Sequence, residues 1–397
     1  MDLKYQRINN NLLGLYEGNE EIVQIKDGVV EICRGSFRED CIKKIVIPAS
    51  VKKINEGAFI FGADNTVKTY FGCVNLEEFV VDPKNPNYSS IDGNLYNKDG
   101  SILLQYAPGK KEECFYLPEG VKSISHGSLG FSKNLRKIVL PQTFGSDEFL
   151  FFFPKCLEEI EIEINEDNPK YKVIDGNVYS NDEKVFVLYN KTKKAKNFII
   201  PNGVEVIDDC AFYDCRLEQI IIPNTVKEIG ESAFGYSYNL RSIVIPNSVV
   251  KMKTGAFESC HRLESILLSN SLKEIPSFAF STTAIKELFI PSSVIKIGEH
   301  AFEVCEELKS VYIPKTVKEI GVHAFSECYE LADVVLQEGL EEIGSGAFAD
   351  TKIEMIKIPS TVKALGDGIF DSCNFLRAIF VSREYRNLPE DIKVIKC

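Results

Sequence analysis

Apolar residues recur along this chain with a fixed period of 22 or 23 residues. The clearest marker is a phenylalanine, which follows an alanine in every copy but the last and stands at Phe212, Phe234, Phe257, Phe280, Phe302, Phe325, Phe348 and Phe370. Counted from Leu240 as position 1, the apolar positions of one unit are 1, 4, 6, 10, 13, 17 and 18. A period of this size predicts a solenoid, in which each unit, here called a rung, stacks on the next.

Each rung is expected to contain two short strands and a single helical turn. Positions 4 to 6 alternate and end at a proline, such as Pro246, which predicts a main strand closed by a residue that cannot donate a ladder hydrogen bond. Positions 10 to 13 predict a second strand, and the stretch 230–234 predicts the helical turn. Four earlier residues hold the place of the marker phenylalanine, so we expect about twelve rungs; they are Phe37, Phe59, Leu129 and Phe153.

Two rungs carry inserts, at 82–117 and 165–200, whose sequences resemble each other. Tyr88 and Tyr171 are 83 residues apart, which indicates that a larger unit was duplicated. Each insert is expected to form a β-hairpin, either as a lengthened edge of the repeat or as a projecting contact element. Because open solenoid ends need covering, we expect an N-terminal cap at 1–20, the repeat array at 21–380 and a C-terminal cap at 381–397.

The repeat has the sequence motif C-x-x-L-x-x-I-x-I-P-x-x-V-x-x-I-x-x-x-A-F, which resembles that of the BspA-like class of leucine-rich repeats. The best copies are Cys260–Phe280, Cys305–Phe325 and Cys328–Phe348. The resemblance implies a right-handed, curved array with a parallel β-sheet. It also implies protein recognition or adhesion, often on microbial surfaces, with no catalytic residues to carry over. Members of this family bind partners that differ from one another, so the resemblance does not identify the partner of this protein.

Composition narrows the classes of partner that this protein can bind, but it does not decide the cellular compartment. The formal charge of −12 and the pI near 5.1 argue against nucleic acid and against insertion into an anionic membrane. No run of 18 apolar residues occurs. The start of the chain lacks the apolar stretch of a secretory signal. Either the protein is cytoplasmic, or a signal was removed and it is secreted or lies at the cell surface.

Seven of the twelve cysteines occupy position 21 of their rungs: Cys73, Cys156, Cys215, Cys260, Cys305, Cys328 and Cys373. Side chains at one repeat position point the same way, whereas a disulfide needs facing Cβ vectors. We therefore expect a ladder of buried free thiols rather than a disulfide framework. The other five have no assigned role; they are Cys33, Cys41, Cys114, Cys210 and Cys397.

Candidate chemistry is sparse. His300 and His323 hold the same place on adjacent rungs, close enough to share a metal, but no cysteine or carboxylate stands at ligand spacing beside them. Other rungs have glycine or serine there, which favours an exposed turn. The sequence contains no phosphate-binding, nucleophile-elbow or zinc-binding motif. We expect no enzyme activity, no cofactor and no metal.

The residues at position 5 of the main strands predict an exposed surface that could bind a partner. It lies between the inward positions 4 and 6 and should point outward, because strand side chains alternate faces. The expected partner-binding residues are Ile221, Val244, Leu267, Phe289, Tyr312 and Val335, within a column that also holds Val46, Val80, Val139, Glu161, Lys357 and Phe380. Either strand propensity or a covering segment explains this column, or it binds a partner.

The sequence therefore favours a non-enzymatic recognition module that binds a protein of unknown identity on its outward sheet face. The alternative is a microbial cell-surface adhesin that binds a host matrix protein or glycan.

Overall fold

In the part of the chain that the structure describes, the fold is a parallel-sheet β-solenoid of about 15 turns with almost no helix. The computed structural model describes residues 6–9, 11–62, 70–125, 127–145, 160–389 and 392–396. Contacts group the chain into two compact units, Met1–Asn181 and Asp182–Cys397. The boundary between the units falls inside the second insert.

In the unit Met1–Asn181, main strands and second strands form separate parallel ladders. The main strands are Ile22–Gln24, Lys44–Ile47, Glu78–Val81, Cys114–Tyr116, Lys137–Leu140 and Glu161–Ile164. The second strands are Leu12–Tyr16, Glu31–Ile32, Lys53–Ile54, Ile102–Gln105 and Ser123–Ile124. The remaining strands are Gln6–Asn9, Ile60–Gly62, Tyr70–Gly72, Tyr88–Ile91, Asn94–Asn97, Tyr171–Ile174 and Asn177–Ser180.

The unit Asp182–Cys397 repeats this arrangement with little interruption. Its main strands are Asn197–Ile199, Gln219–Ile221, Ser242–Val244, Ser265–Leu267, Leu288–Phe289, Ser310–Ile313, Asp333–Leu336, Met355–Lys357, Ala378–Val381 and Lys393–Lys396. Its second strands are Val185–Leu188, Val206–Ile207, Glu228–Ile229, Lys251–Met252, Glu274–Ile275, Lys296–Ile297, Glu319–Ile320, Glu342–Ile343 and Ala364–Leu365. A 3-10 helix spans Lys191–Lys193.

A column of phenylalanine rings forms the core of this second unit. The eight marker phenylalanines are buried, and neighbouring rings stack nearly parallel. The ring centroids of Phe234 and Phe257 are 4.8 Å apart, and those of Phe257 and Phe280 are 5.4 Å apart. The period of 22 or 23 residues therefore places one aromatic ring above the next at the spacing that offset-stacked rings prefer.

The count of about twelve rungs was too low, because three rungs carry tyrosine at the marker position. The amide of Phe212 donates to the carbonyl of Ala233 in the next rung, and the amide of Tyr189 donates in the same way to Ala211. Tyr16 and Tyr106 make the equivalent bond to the serine of the following rung. None of these tyrosines follows an alanine, so the Ala-Phe marker missed them. Phe153 lies outside the described residues.

The predicted helical turns are also wrong. In the stretch 231–236 the chain forms a turn in which Ser232 and Tyr236 adopt left-handed φ values of 48° and 59°. The amide of Phe234 donates to Ala256 of the next rung, at 2.8 Å, instead of to a carbonyl within its own rung. An α-helical turn needs negative φ and internal bonds. Hydrogen bonds between rungs therefore replace those within a helix.

Position 21 forms a polar column beneath the phenylalanines. In the second unit its members are Cys215, Ser237, Cys260, Thr283, Cys305, Cys328, Thr351 and Cys373. The Cys260 thiol donates to the carbonyl of Phe234, at 3.1 Å, and the Ser237 hydroxyl donates to that of Phe212, at 2.9 Å. The prediction of buried free thiols is confirmed for Cys73, Cys215, Cys260, Cys305, Cys328 and Cys373. Cys156 and Cys397 lie outside the described residues.

A buried asparagine fixes the first insert against the array. The Asn85 carboxamide donates to the carbonyls of Pro48 and Val51, each at 2.9 Å. Its oxygen accepts from the amides of Asn87 and Tyr88, each at 2.9 Å. Beyond it, the strands Tyr88–Ile91, Asn94–Asn97 and Ile102–Gln105 pair antiparallel. The second insert has an equivalent buried residue 83 positions later, Asn168.

Replacing Asn85 by alanine should lower the free energy of unfolding by about 1–3 kcal/mol, because buried backbone groups lose their hydrogen-bond partners. Guanidinium denaturation followed by circular dichroism measures this change. Asn134 is a matched control, since it is exposed and makes a side-chain bond to the carbonyl of Lys110. An equal loss in Asn134→Ala would contradict the role given to Asn85.

Candidate protein-binding surface

At least six main strands of the second unit turn an exposed apolar side chain outward beside inward-facing core residues. In the strand Ser242–Val244, Ile243 is 3% exposed and Val244 is 57% exposed. Ile245 follows at 1% exposure and is succeeded by Pro246, whose nitrogen carries no hydrogen to donate. Side-chain alternation along the strand thus produces the exposed position.

The structure places all six predicted partner-binding residues at the surface. The outward stripe, as we name this set, consists of Ile221, Val244, Leu267, Phe289, Tyr312 and Val335, with exposures between 46% and 68%. Parallel pairing sets several of these side chains side by side: Val244 is opposite Leu267, and Tyr312 is opposite both Phe289 and Val335. Partner binding at these residues remains a prediction.

Sequence reasoning missed two exposed apolar members of the position-5 column. Ile199 is 66% exposed and pairs with Ile221, and Tyr116 in the first unit is 70% exposed. Both stand at the ends of the inserts, where the Ala-Phe marker is absent and the rung register was not recognised. Parallel pairing of Tyr116 with Val139 shows the correct register.

In the first unit part of the same column lies beside other segments of the unit. Val46, Val80 and Val139 are half-buried. The prediction of Glu161 at position 5 was wrong by two residues of register, because Val139 is opposite Glu163, whereas Glu161 is opposite Lys137 at position 3. Around the strand Glu78–Val81 the first insert makes direct contact, because the amide of Phe79 donates to Gly93 and that of Val81 to the Ser90 hydroxyl. The first insert therefore lies along one edge of this strand in the first unit, whereas the outward column of the second unit is 46–68% exposed from Ile221 to Val335.

The stripe is bordered by polar side chains. At position 3 the neighbours are exposed; they are Gln219, Ser242, Ser265, Glu287, Ser310 and Asp333. One position earlier, Lys286 forms an ion pair with Glu264, at 2.7 Å, on the adjacent rung. This arrangement, an apolar centre with a polar rim, is characteristic of interaction surfaces. At the C-terminal end of the column Lys357 is exposed and Phe380 is half-buried.

The histidines lie on the turn side of the rungs. The ring of His300 stacks between Phe278, at 4.6 Å, and His323, at 5.3 Å, and its Nδ1 lies 3.0 Å from Glu303. Within the described ranges no cluster of three or more histidine, cysteine or acidic residues has a geometry that could hold a metal ion. His261 stacks on Tyr238, and His126 lies outside the described residues.

No helix in the described part of the chain is long and apolar enough to cross a lipid bilayer.

Several solved structures resemble this fold. A leucine-rich repeat protein from Eubacterium ventriosum is 18% identical, with a TM-score of 0.50, and the match covers 96% of this chain and 90% of that one. A leucine rich cell surface protein from Faecalibacterium prausnitzii is 21% identical, with a TM-score of 0.45 and coverages of 84% and 93%. The leucine-rich repeat protein of T. pallidum is 25% identical, with a TM-score of 0.41, and the match covers 54% of this chain and 90% of that one. At these identities the first likeness shows the fold.

No curated protein matches this sequence. The family model described as "BspA type Leucine rich repeat region" matches in six copies, over residues 6–79, 184–309 and 296–392. These residues make up more than half of the chain, and the fold and the sequence motif of the repeat agree with the match. The protein belongs to the BspA-type leucine-rich repeat family.

Proposed function

We propose that this protein is a non-enzymatic recognition module that binds a protein partner through the outward stripe. The observation that carries the proposal is the row of six apolar side chains, each 46–68% exposed, on successive main strands of one unit. Monomeric proteins rarely leave a contiguous apolar patch of this kind open to water unless it has a binding role.

The partner would bind by side-chain packing. The strand Ser310–Ile313 is already paired on both sides, with Leu288–Phe289 and Asp333–Leu336. Its backbone groups are therefore occupied, and addition of a partner strand to the middle of the sheet is unavailable as a binding mode. Large aromatic side chains dominate interfaces of this kind, so Phe289 and Tyr312, with Leu267 beside them, are the expected hot spot.

The test is the triple variant Leu267→Ser, Phe289→Ser, Tyr312→Ser. Each change should alter the free energy of unfolding by no more than about 0.5 kcal/mol, because all three side chains are exposed. Loss of three anchors should weaken partner binding by at least about 100-fold. Partners are captured from a lysate on wild type, triple variant and control, and are quantified by mass spectrometry.

Val250 and Ile295 provide the matched control. They are 58% and 46% exposed, as the stripe residues are, but they stand at the start of second strands and away from the stripe. The variant Val250→Ser, Ile295→Ser should capture the same partner as wild type. A triple variant that unfolds would show the stripe to be core, and one that binds normally would place the partner elsewhere. The adhesin alternative is distinguished by the captured molecule, a host matrix protein or glycan.

A further inference from the structure

The outward stripe is not uniform along its length. Over the main strands Gln219–Ile221, Ser242–Val244 and Ser265–Leu267 there is a depression of about 370 Å³, here called the neutral groove. Its floor is aliphatic and consists of Ile221, Val244 and Leu267. Asn224, Asn247 and Asn270 line one side, at the same position of three successive rungs, and Gln219 and Ser242 line the other.

None of the fourteen residues that line the neutral groove is ionisable. This is unusual for this chain, in which 26% of residues are charged and the formal net charge is −12. The aromatic half of the stripe differs at position 3, because Glu287 and Asp333 are exposed beside Phe289 and Tyr312. At this position the aliphatic half is neutral, whereas the aromatic half carries two carboxylates.

The asparagine side of the groove presents hydrogen-bonding groups to solvent. Asn247 uses its side-chain oxygen to accept from the amide of Asn270, at 2.8 Å. Within the described ranges, the carboxamides of Asn224 and Asn270 have no hydrogen-bond partner, and both residues are exposed. A carboxamide both donates and accepts, so this side can satisfy the amide and hydroxyl groups of a ligand without a charge.

We propose that the neutral groove receives an uncharged segment of the protein partner, with small apolar side chains against its floor and amide or hydroxyl groups facing the asparagines. This inference rests on the proposed function and deepens it. A lysine, arginine or carboxylate pressed onto the floor would lose its hydration with no opposite charge to compensate, which carries a large free-energy cost. An apolar side chain gains from the same burial.

The size of the groove limits the segment to a short one. Three neighbouring strands at a spacing of about 4.8 Å place Ile221 and Leu267 about 10 Å apart, which is the length of about three residues of extended chain. Charged residues of the partner then lie outside the groove, where cationic ones can pair with Glu287 and Asp333 in the aromatic half of the stripe.

The experiment pans a phage library of short random peptides on the full chain, after counter-selection on the variant Val244→Glu. Enriched peptides should contain an uncharged centre of at least three residues. Their dissociation constants should change less than about twofold between about 0.05 and 0.5 M salt, because no ion pair forms in the groove. Asn247→Asp, which places a charge beside the floor, should weaken binding at least about tenfold.

Asn374→Asp is the matched control, because it adds the same charge at an exposed position outside the groove and should leave binding unchanged. Peptides that need Val244 but carry charged centres, or bind with strong salt dependence, would overturn the neutral-groove inference and leave the proposed function intact. A library with no peptide that distinguishes wild type from Val244→Glu, together with a triple stripe variant that still binds its partner, would overturn both.

Discussion

Replacing Phe257 by alanine should lower the free energy of unfolding of the unit Asp182–Cys397 by about 3–5 kcal/mol. The side chain is fully buried, and its ring lies between those of Phe234, at 4.8 Å, and Phe280, at 5.4 Å. The substitution removes the apolar area of one ring and leaves a cavity that two rungs share. Because each rung is stabilised mainly by its neighbours, the loss acts on both interfaces.

Guanidinium denaturation with far-ultraviolet circular dichroism measures this loss. Phe375→Ala is the control, since Phe375 is 52% exposed and its loss should cost no more than about 0.5 kcal/mol. Equal destabilisation by the two substitutions would show that the phenylalanine column is not the source of stability in this unit.

The second large effect concerns thiol reactivity. Cys260, Cys305 and Cys328 are fully buried, and burial raises the pKa of the Cys260 and Cys328 thiols. Only the thiolate reacts with an alkylating reagent, so a buried thiol reacts only when the structure opens locally and exposes it to the reagent. Alkylation of these three in native protein should be slower than in denatured protein by a factor on the order of 10³ or more.

Mass spectrometry after timed alkylation, with and without denaturant, gives the rate for each cysteine. Cys33 and Cys114 serve as internal references, because they are half-buried and should react in the native protein. Cys210 should react more slowly than these two, since burial raises its pKa to about 12. Rapid native alkylation of Cys260, or disulfides within the position-21 column, would contradict the buried-thiol ladder.

Much of the fold was predictable because the residues that recur with the period are the apolar side chains that form the core. The apolar positions 4 and 6 predicted the main strand, and its outward position 5 followed from side-chain alternation. The neutral groove was not predicted, although Asn224 and Asn247 each follow the proline that closes a main strand. Its depth depends on neighbouring strands and required the structure.

The errors share one physical origin, the interaction between rungs. Tyr106 and Tyr189 fill the marker position without the preceding alanine, and only their hydrogen bonds to the next rung identify them. Similarly, the stretch 231–236 has the composition of a helical turn, but the alternate amides of Ser232, Phe234 and Tyr236 donate to the next rung, and Ser232 takes a left-handed φ. A single-rung pattern contains none of this information.

Alternation within the main strand separates the residues that maintain the fold from those that face solvent. Ile243 and Ile245 face the core, while Val244 between them is 57% exposed and carries little of the stability. Mutations at position 5 can therefore accumulate one rung at a time without loss of folding. The chemistry of this face can change gradually under selection while the core stays constant.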